Sequence, residues 1–205
     1  MIRLTPISTL FPYTTLFRSY PFYEDGYKLV ETPYLGMEHQ SSVTYGNRFQ
    51  NGYLGRDLSR TGWGLKWDFI IVHESGHEWF ANNITYKDIA DMWIHESFTN
   101  YSENLFTEYY YGKDAGAQYV IGCRANIRND RPIIGIYNVN YEGSGDMYYK
   151  GGNMLHMIRQ LVGDDAKWRQ LLRGMNKTFY HQTVTSAQIE QYMTQQTGLN
   201  LKPVF

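Results

Sequence analysis

The sequence predicts an α+β fold, a small β-sheet lobe followed by a mainly helical lobe, and two observations carry that prediction. Residues 20–51 hold short β-favouring runs broken by glycine, whereas from residue 63 onward apolar residues recur at three- and four-residue spacing. A length of 205 residues fits one domain, large enough to bury a core without disulfides or structural metals.

The first stretch, 1–19, differs from the rest. It lacks the continuous apolar segment of a signal peptide, and Pro6, Pro12 and its threonines follow neither a helical nor a strand period. Residues 9–19 resemble the in-frame translation of a sequencing-library adapter. We therefore expect 1–19 to be non-native and the domain to run over 20–205. Residues 28–34 and 40–45 read as strands flanking a cleft. Between them a glycine-bounded turn carries Glu38, and a lone turn carboxylate is by itself usually just solvated.

Residues 63–85 read as one helix, apolar all round over 67–72 and therefore buried at its start. It presents His73-Glu74-Ser75-Gly76-His77. Histidines four apart share a helix face, because four residues at 3.6 per turn overshoot one turn only slightly. Both imidazoles can therefore grip one metal ion. Glu74 is rotated off that face and can reach a water without being a ligand itself. The competing reading is a pair of hydrogen-bonded core histidines, since the five-residue pattern is short. A catalytic zinc needs a third protein ligand. Glu96 is the candidate, on a second helix that starts near Asp91 as its cap and runs through Trp93, Phe98, Tyr101 and Phe106. Glu103 lies nearly two turns further on, on the face of Glu96; it either hydrogen-bonds a ligating histidine or is an exposed carboxylate.

Residues 113–129 read as a third helix and 129–145 as loop, punctuated by Pro132, Gly135, Gly143 and Gly145. Helical periodicity resumes over 147–162, 165–178 and 186–196, the last capped by Ser186. Tyr148 stands at the first of these starts, where it either swings into a cleft or packs.

Composition narrows the partners. A net charge of -1 gives no electrostatic footprint for nucleic acid or an anionic membrane. Cys123 is the sole cysteine, which forbids an intrachain disulfide and suits a small buried residue. No apolar run approaches the roughly 18 residues of a membrane span. The expectation is a soluble chain of bacterial type, cytoplasmic or exported. The 19 tyrosines suit aromatic packing or an extended cleft.

Four motifs, in order, resemble the catalytic domain of the M1 family of zinc metallo-aminopeptidases, the gluzincins. They are a GxMEN-like Leu35-Gly36-Met37-Glu38-His39, H-E-x-x-H from His73 to His77, W-x-x-E from Trp93 to Glu96, and Y-x-K-G from Tyr148 to Gly151. The resemblance implies a thermolysin-like zincin domain, truncated at both ends, lacking the N-terminal β-rich and C-terminal helical domains of such enzymes. It implies one Zn2+ per chain on His73, His77 and Glu96, with Glu74 as general base on the activated water and Tyr148 as donor to the oxyanion. Glu38, with Gly36 and Met37, would hold peptide substrates by their free N-terminus, and Glu103 matches an acid that supports a zinc ligand. Leu35 and His39 depart from the family pattern, and Gly36 is expected to compensate by flexibility. The alternatives are a thermolysin-like endopeptidase or an epoxide hydrolase on the same fold, or an inactive peptidase-derived binding module.

Overall fold

The computed structural model describes the main chain of residues 2–4 and all of residues 12–205. A four-stranded sheet forms one lobe. Its order is β1 (Ile2–Leu4), β2 (Lys28–Glu31), β4 (Ser42–Tyr45) and β3 (Gly36–Met37), with β2 and β4 parallel and the outer pairs antiparallel. β3 is a two-residue edge strand, in register through Gly36 opposite Tyr45 and Met37 opposite Thr44.

The helical lobe is built on α2 (Phe69–Gly76) and α3 (Trp93–Tyr111), with α4 (Lys113–Cys123) and α5 (Tyr149–Val162) packed on α3. α6 (Asp165–Thr178) and α7 (Ser186–Thr197) complete it, and β5 (Ile84–Tyr86) pairs in parallel with β6 (Gln182–Val184). α3 is central and buried along most of its length. It therefore carries small polar residues whose hydroxyls bond backward into the helix, Ser102 to the Phe98 carbonyl at 2.8 Å and Thr107 to that of Glu103 at 2.9 Å. The core around α3 is aromatic: Phe98 and Tyr101 of this helix, and Trp79 and Phe80 of the segment after α2, are all at most 1% exposed.

Several boundaries differ from the sequence reading. The helix expected over 63–85 is broken into a short turn at Trp63–Leu65, α2, a π-helical turn over Glu78–Asn83 and β5. Asp68 stops it from starting earlier, because its carboxylate accepts the N–H groups of Ile70 and Ile71 as an N-cap. Asp91 is not a cap; it is buried, accepting hydrogen bonds from Tyr137 and Ser186. The cap of α7 is Thr185 in a capping box with Gln188, not Ser186, which is occupied by Asp91 and Trp93. The helix expected over 113–129 ends at Cys123, followed by one tighter turn at Arg124–Asn126.

The stretch 1–19 shows no periodicity in sequence, yet β1 and a short helix α1 (Tyr13–Leu16) fall in it. Tyr13 and Phe17 are buried against Trp79, and the Tyr13 hydroxyl donates to the Val72 carbonyl at 2.9 Å. Residues 1 and 5–11 of that stretch lie outside the described residues. No helix among the described residues is long and apolar enough to cross a membrane.

Candidate functional site

His73 lies one turn before the end of α2 and His77 just past it, so their rings project together toward α3, where Glu96 sits in the first turn. The two Nε2 atoms are 3.2 Å apart, and Oε2 of Glu96 is 3.4 Å from His73 Nε2 and 3.5 Å from His77 Nε2. All three residues are buried. The other ring nitrogen of each histidine is already committed: Nδ1 of His73 to Oε1 of Glu103 at 2.7 Å, Nδ1 of His77 to the Phe80 carbonyl at 3.0 Å. Donation from Nδ1 fixes the tautomer in which Nε2 carries a lone pair. Three acceptors thus face one another in a buried space, and Glu96 Oε2 has no hydrogen-bond donor.

Such an arrangement calls for a cation. Metal–ligand bonds of about 2.0–2.1 Å to three corners of a tetrahedron require ligand atoms roughly 3.3–3.4 Å apart, which matches the observed spacing. The donor set of two imidazoles and one carboxylate suits zinc. The electrostatics agree. Burial alone would lower both imidazole pKa values, but the hydrogen bonds and charges of Glu103 and Glu96 outweigh it, raising His73 well above its ordinary value and His77 to about 9. Burial would raise Glu96, yet the same imidazoles hold it far below the usual carboxylate range. The site therefore attracts positive charge.

Glu103 does not lie on the exposed face. Its carboxylate is buried and fully engaged, taking hydrogen bonds from His73, from Asn100 at 3.2 Å and from the Tyr119 hydroxyl at 2.6 Å. Glu74 is also buried, which raises its carboxyl pKa, and it lines a cleft of about 440 Å3 with Gly36, Tyr53, Phe69, His73 and Tyr148. Glu38 reaches the same centre: single ligand-type atoms of Glu38, Glu74 and His77 all lie within 4.8 Å of one another. Met37 is 45% exposed beside it. Gly36 is not a point of flexibility. A Cβ there would lie 2.6 Å from Ile70 Cγ2 and 3.0 Å from Glu74 Oε1, so the glycine lets the edge strand lie directly against α2.

Tyr148 precedes α5 with its ring 6.1 Å, centroid to centroid, from that of His73. Burial first, then the charges of Glu96, Glu38 and Glu74, push its phenol pKa far up, so it keeps its proton. Two contacts hold it there. Ser97 Oγ donates to the Met147 carbonyl at 2.6 Å, and Gly151 lies so close to α3 that a Cβ would fall on Ser97 Oγ.

The sequence profile described as the Peptidase family M1 domain matches residues 19–205. The chain belongs to peptidase family M1. This M1 chain is 28% identical to aminopeptidase N of Lactobacillus helveticus over 187 residues, 78% of its own length and 21% of the relative's. It is 29% identical to aminopeptidase N of Lactococcus lactis subsp. lactis over 129 residues, 56% of its length and 15% of the relative's. The chain thus spans about a fifth or less of the curated relatives. Among solved structures, a mutant M1 zinc metallopeptidase from Deinococcus radiodurans bound to a Tyr-Ser-Ala substrate superposes with a TM-score of 0.74 at 23% identity, covering 96% of this chain and 41% of that one. Leukotriene A4 hydrolase from Saccharomyces cerevisiae superposes at 0.71 with 18% identity, covering 97% and 32%. These likenesses show that the M1 chain has the fold of that family's zinc peptidases.

Sequence reasoning named Glu103 but missed the residues that hold Glu103 in turn, Asn100 and Tyr119. Asn100 was findable, since it falls between Glu96 and Glu103 on the same face of α3. Tyr119 carries no such signal, because α4 brings it to Glu103 only through the fold.

Proposed function

We propose that this domain is the catalytic centre of a zinc-dependent aminopeptidase, cleaving the first peptide bond of peptides that have a free N-terminus. The observation that carries this reading is Glu38: one of its carboxylate oxygens lies within 4.8 Å of ligand atoms of Glu74 and His77, close enough to the metal centre to anchor the α-ammonium group of the residue at the scissile bond. An endopeptidase needs that end open for more chain.

His73, His77 and Glu96 would hold one zinc ion, which when bound would acidify water and polarise a carbonyl. Glu74 takes a proton from the attacking water on its carboxylate and passes it to the leaving amine. Tyr148, held protonated, donates from its phenol to the carbonyl oxygen as negative charge develops there, an interaction worth more in the transition state than in the bound substrate. Glu38 anchors the ammonium, with the main chain of the edge strand Gly36–Met37, whose Gly36 lines the cleft, steering the residue that follows. Glu103 supports the centre by fixing the ring and tautomer of His73.

Comparing free and N-acetylated peptide arylamides on the zinc-loaded protein tests the reading. Glu38→Ala should cost roughly ten- to a hundredfold in kcat/KM on free-amine substrates, the scale of one charged hydrogen bond, and far less on acetylated ones. Equal losses would move the assignment to an endopeptidase. A separate expectation concerns the metal. Glu103→Ala leaves the His73 Nδ1–H without its partner and should weaken zinc binding about 10- to 100-fold, read by competition with a chromogenic chelator. Undiminished affinity would remove Glu103 from that role.

A further inference from the structure

The turn that carries Glu38 is held from outside its own hairpin. β3 contributes only two paired residues, at the edge of the sheet. Beyond it the hairpin supplies only two main-chain bonds, His39 N–H to the Met37 carbonyl at 2.9 Å and Ser42 N–H to the His39 carbonyl at 3.1 Å. His39 and Gln40 are exposed. Ser41 adopts a left-handed conformation, φ 58°, which costs free energy in a residue with a side chain. The buried Ser41 is also held by the Lys28 N–H to its carbonyl and the Tyr20 hydroxyl to its Oγ, each at 3.0 Å, so it is the Glu38 end of the turn, next to the exposed His39 and Gln40, that lacks support of its own.

Both ends of this turn are tied to the π-helical segment that follows His77. The Asn82 side-chain amide donates to the Glu38 main-chain carbonyl at 2.9 Å. The Ser41 N–H donates to Oε1 of Glu78 at 2.7 Å, and Glu78 is fully buried. The π-turn itself aims Asn82, since its own N–H closes onto the His77 carbonyl at 3.0 Å. A regular α-helix past His77 would rotate residue 82 elsewhere. One short segment, largely buried and kinked at Phe80 and Ala81, therefore follows directly on a candidate ligating histidine and grips the Glu38 turn at two points, Glu78 and Asn82.

We infer that Asn82, with Glu78, is a positioning residue for Glu38, coupling the amine-binding carboxylate to the metal centre through the main chain of its turn. This rests on the aminopeptidase reading above for the role of Glu38, but the clamp itself is a statement about residues 38–41. Loosening it lets the Glu38 carboxylate drift from the ammonium it binds while His73, His77, Glu96 and Glu74 stay in place.

The test is Asn82→Ala, alone and combined with Glu38→Ala, in the zinc-loaded protein. Alone it should raise KM for free-amine arylamides about tenfold, the scale of one lost positioning hydrogen bond, with kcat changed less than about threefold and zinc content unaltered. In the Glu38→Ala background it should add nothing, because it acts through Glu38. Losses that multiply in the double variant, or zinc and kcat falling together, would overturn the inference in favour of a general structural role. Amide exchange gives a readout independent of turnover: the amides of 38–41 should exchange faster in Asn82→Ala. Should the unaltered protein cleave free and acetylated substrates equally, the aminopeptidase reading falls, and the exchange alone decides the clamp. Unchanged exchange overturns it.

Discussion

Glu74→Gln is expected to retain one zinc per chain and to lose about 10²- to 10⁴-fold in kcat on a free-amine peptide, the range for removing a general base. Glutamine matches glutamate in size, so it fits the space between β3 and α2 where Gly36 already leaves no room for a Cβ. The three acceptors at the metal centre belong to other residues, so zinc binding does not depend on the Glu74 charge. Metal analysis beside steady-state kinetics separates the outcomes. Retained turnover would transfer the base role away from Glu74, with Glu38, whose carboxylate lies within 4.8 Å of that of Glu74 and of the His77 ring, the other candidate. Loss of zinc with loss of activity would mean that Glu74 helps to build the centre.

Gly151→Ala is expected to cost both stability and rate. The added Cβ would fall on Ser97 Oγ and lie 2.7 Å from Ser97 Cβ, in the packed interface between α5 and α3. Ser97 cannot swing aside without surrendering its hydrogen bond to the Met147 carbonyl, and it is fully buried. Overpacking of this kind typically costs about 1–3 kcal/mol. The helix must move outward, and Tyr148, the residue before its first turn, moves with it. The phenol then loses its aim, so kcat should fall by up to about a hundredfold, the loss seen when a transition-state donor is removed. Denaturant unfolding and kinetics measure the two effects. Ser97→Gly in the same chain restores space and should recover part of the lost kcat. Unaltered stability in the single variant would show that α5 and α3 are not in close register at this point.

The motif residues were legible because their chemistry is written in short-range spacing. His73 and His77 share a face by helical periodicity, and Glu96 and Glu103 do so on the next helix. The end of α2 was not legible. Residues 77–85 have the composition of a continuing helix, yet Glu78 is drawn to Ser41 and the Trp79 indole to the Arg18 carbonyl, 3.2 Å away. Those partners lie far off in sequence, and they win over local helical preference. Asp91 and Ser186 misled for the same reason: each has the side chain of a cap, and each is used instead in a buried contact with the other.

By itself the sequence determined the order of the motifs and an α+β architecture, and it singled out His73, His77, Glu96 and Glu74 as the candidate ligands and base, because these follow from residue type and from periods of two and of 3.6 that hold within one element. Only the tertiary structure decided that Glu103 is buried on His73, that Gly36 and Gly151 stand at close approaches of main chain, and that Asn82 holds the turn of Glu38. Those are contacts between elements distant in the chain, fixed by how whole helices and strands pack, and no local period encodes them.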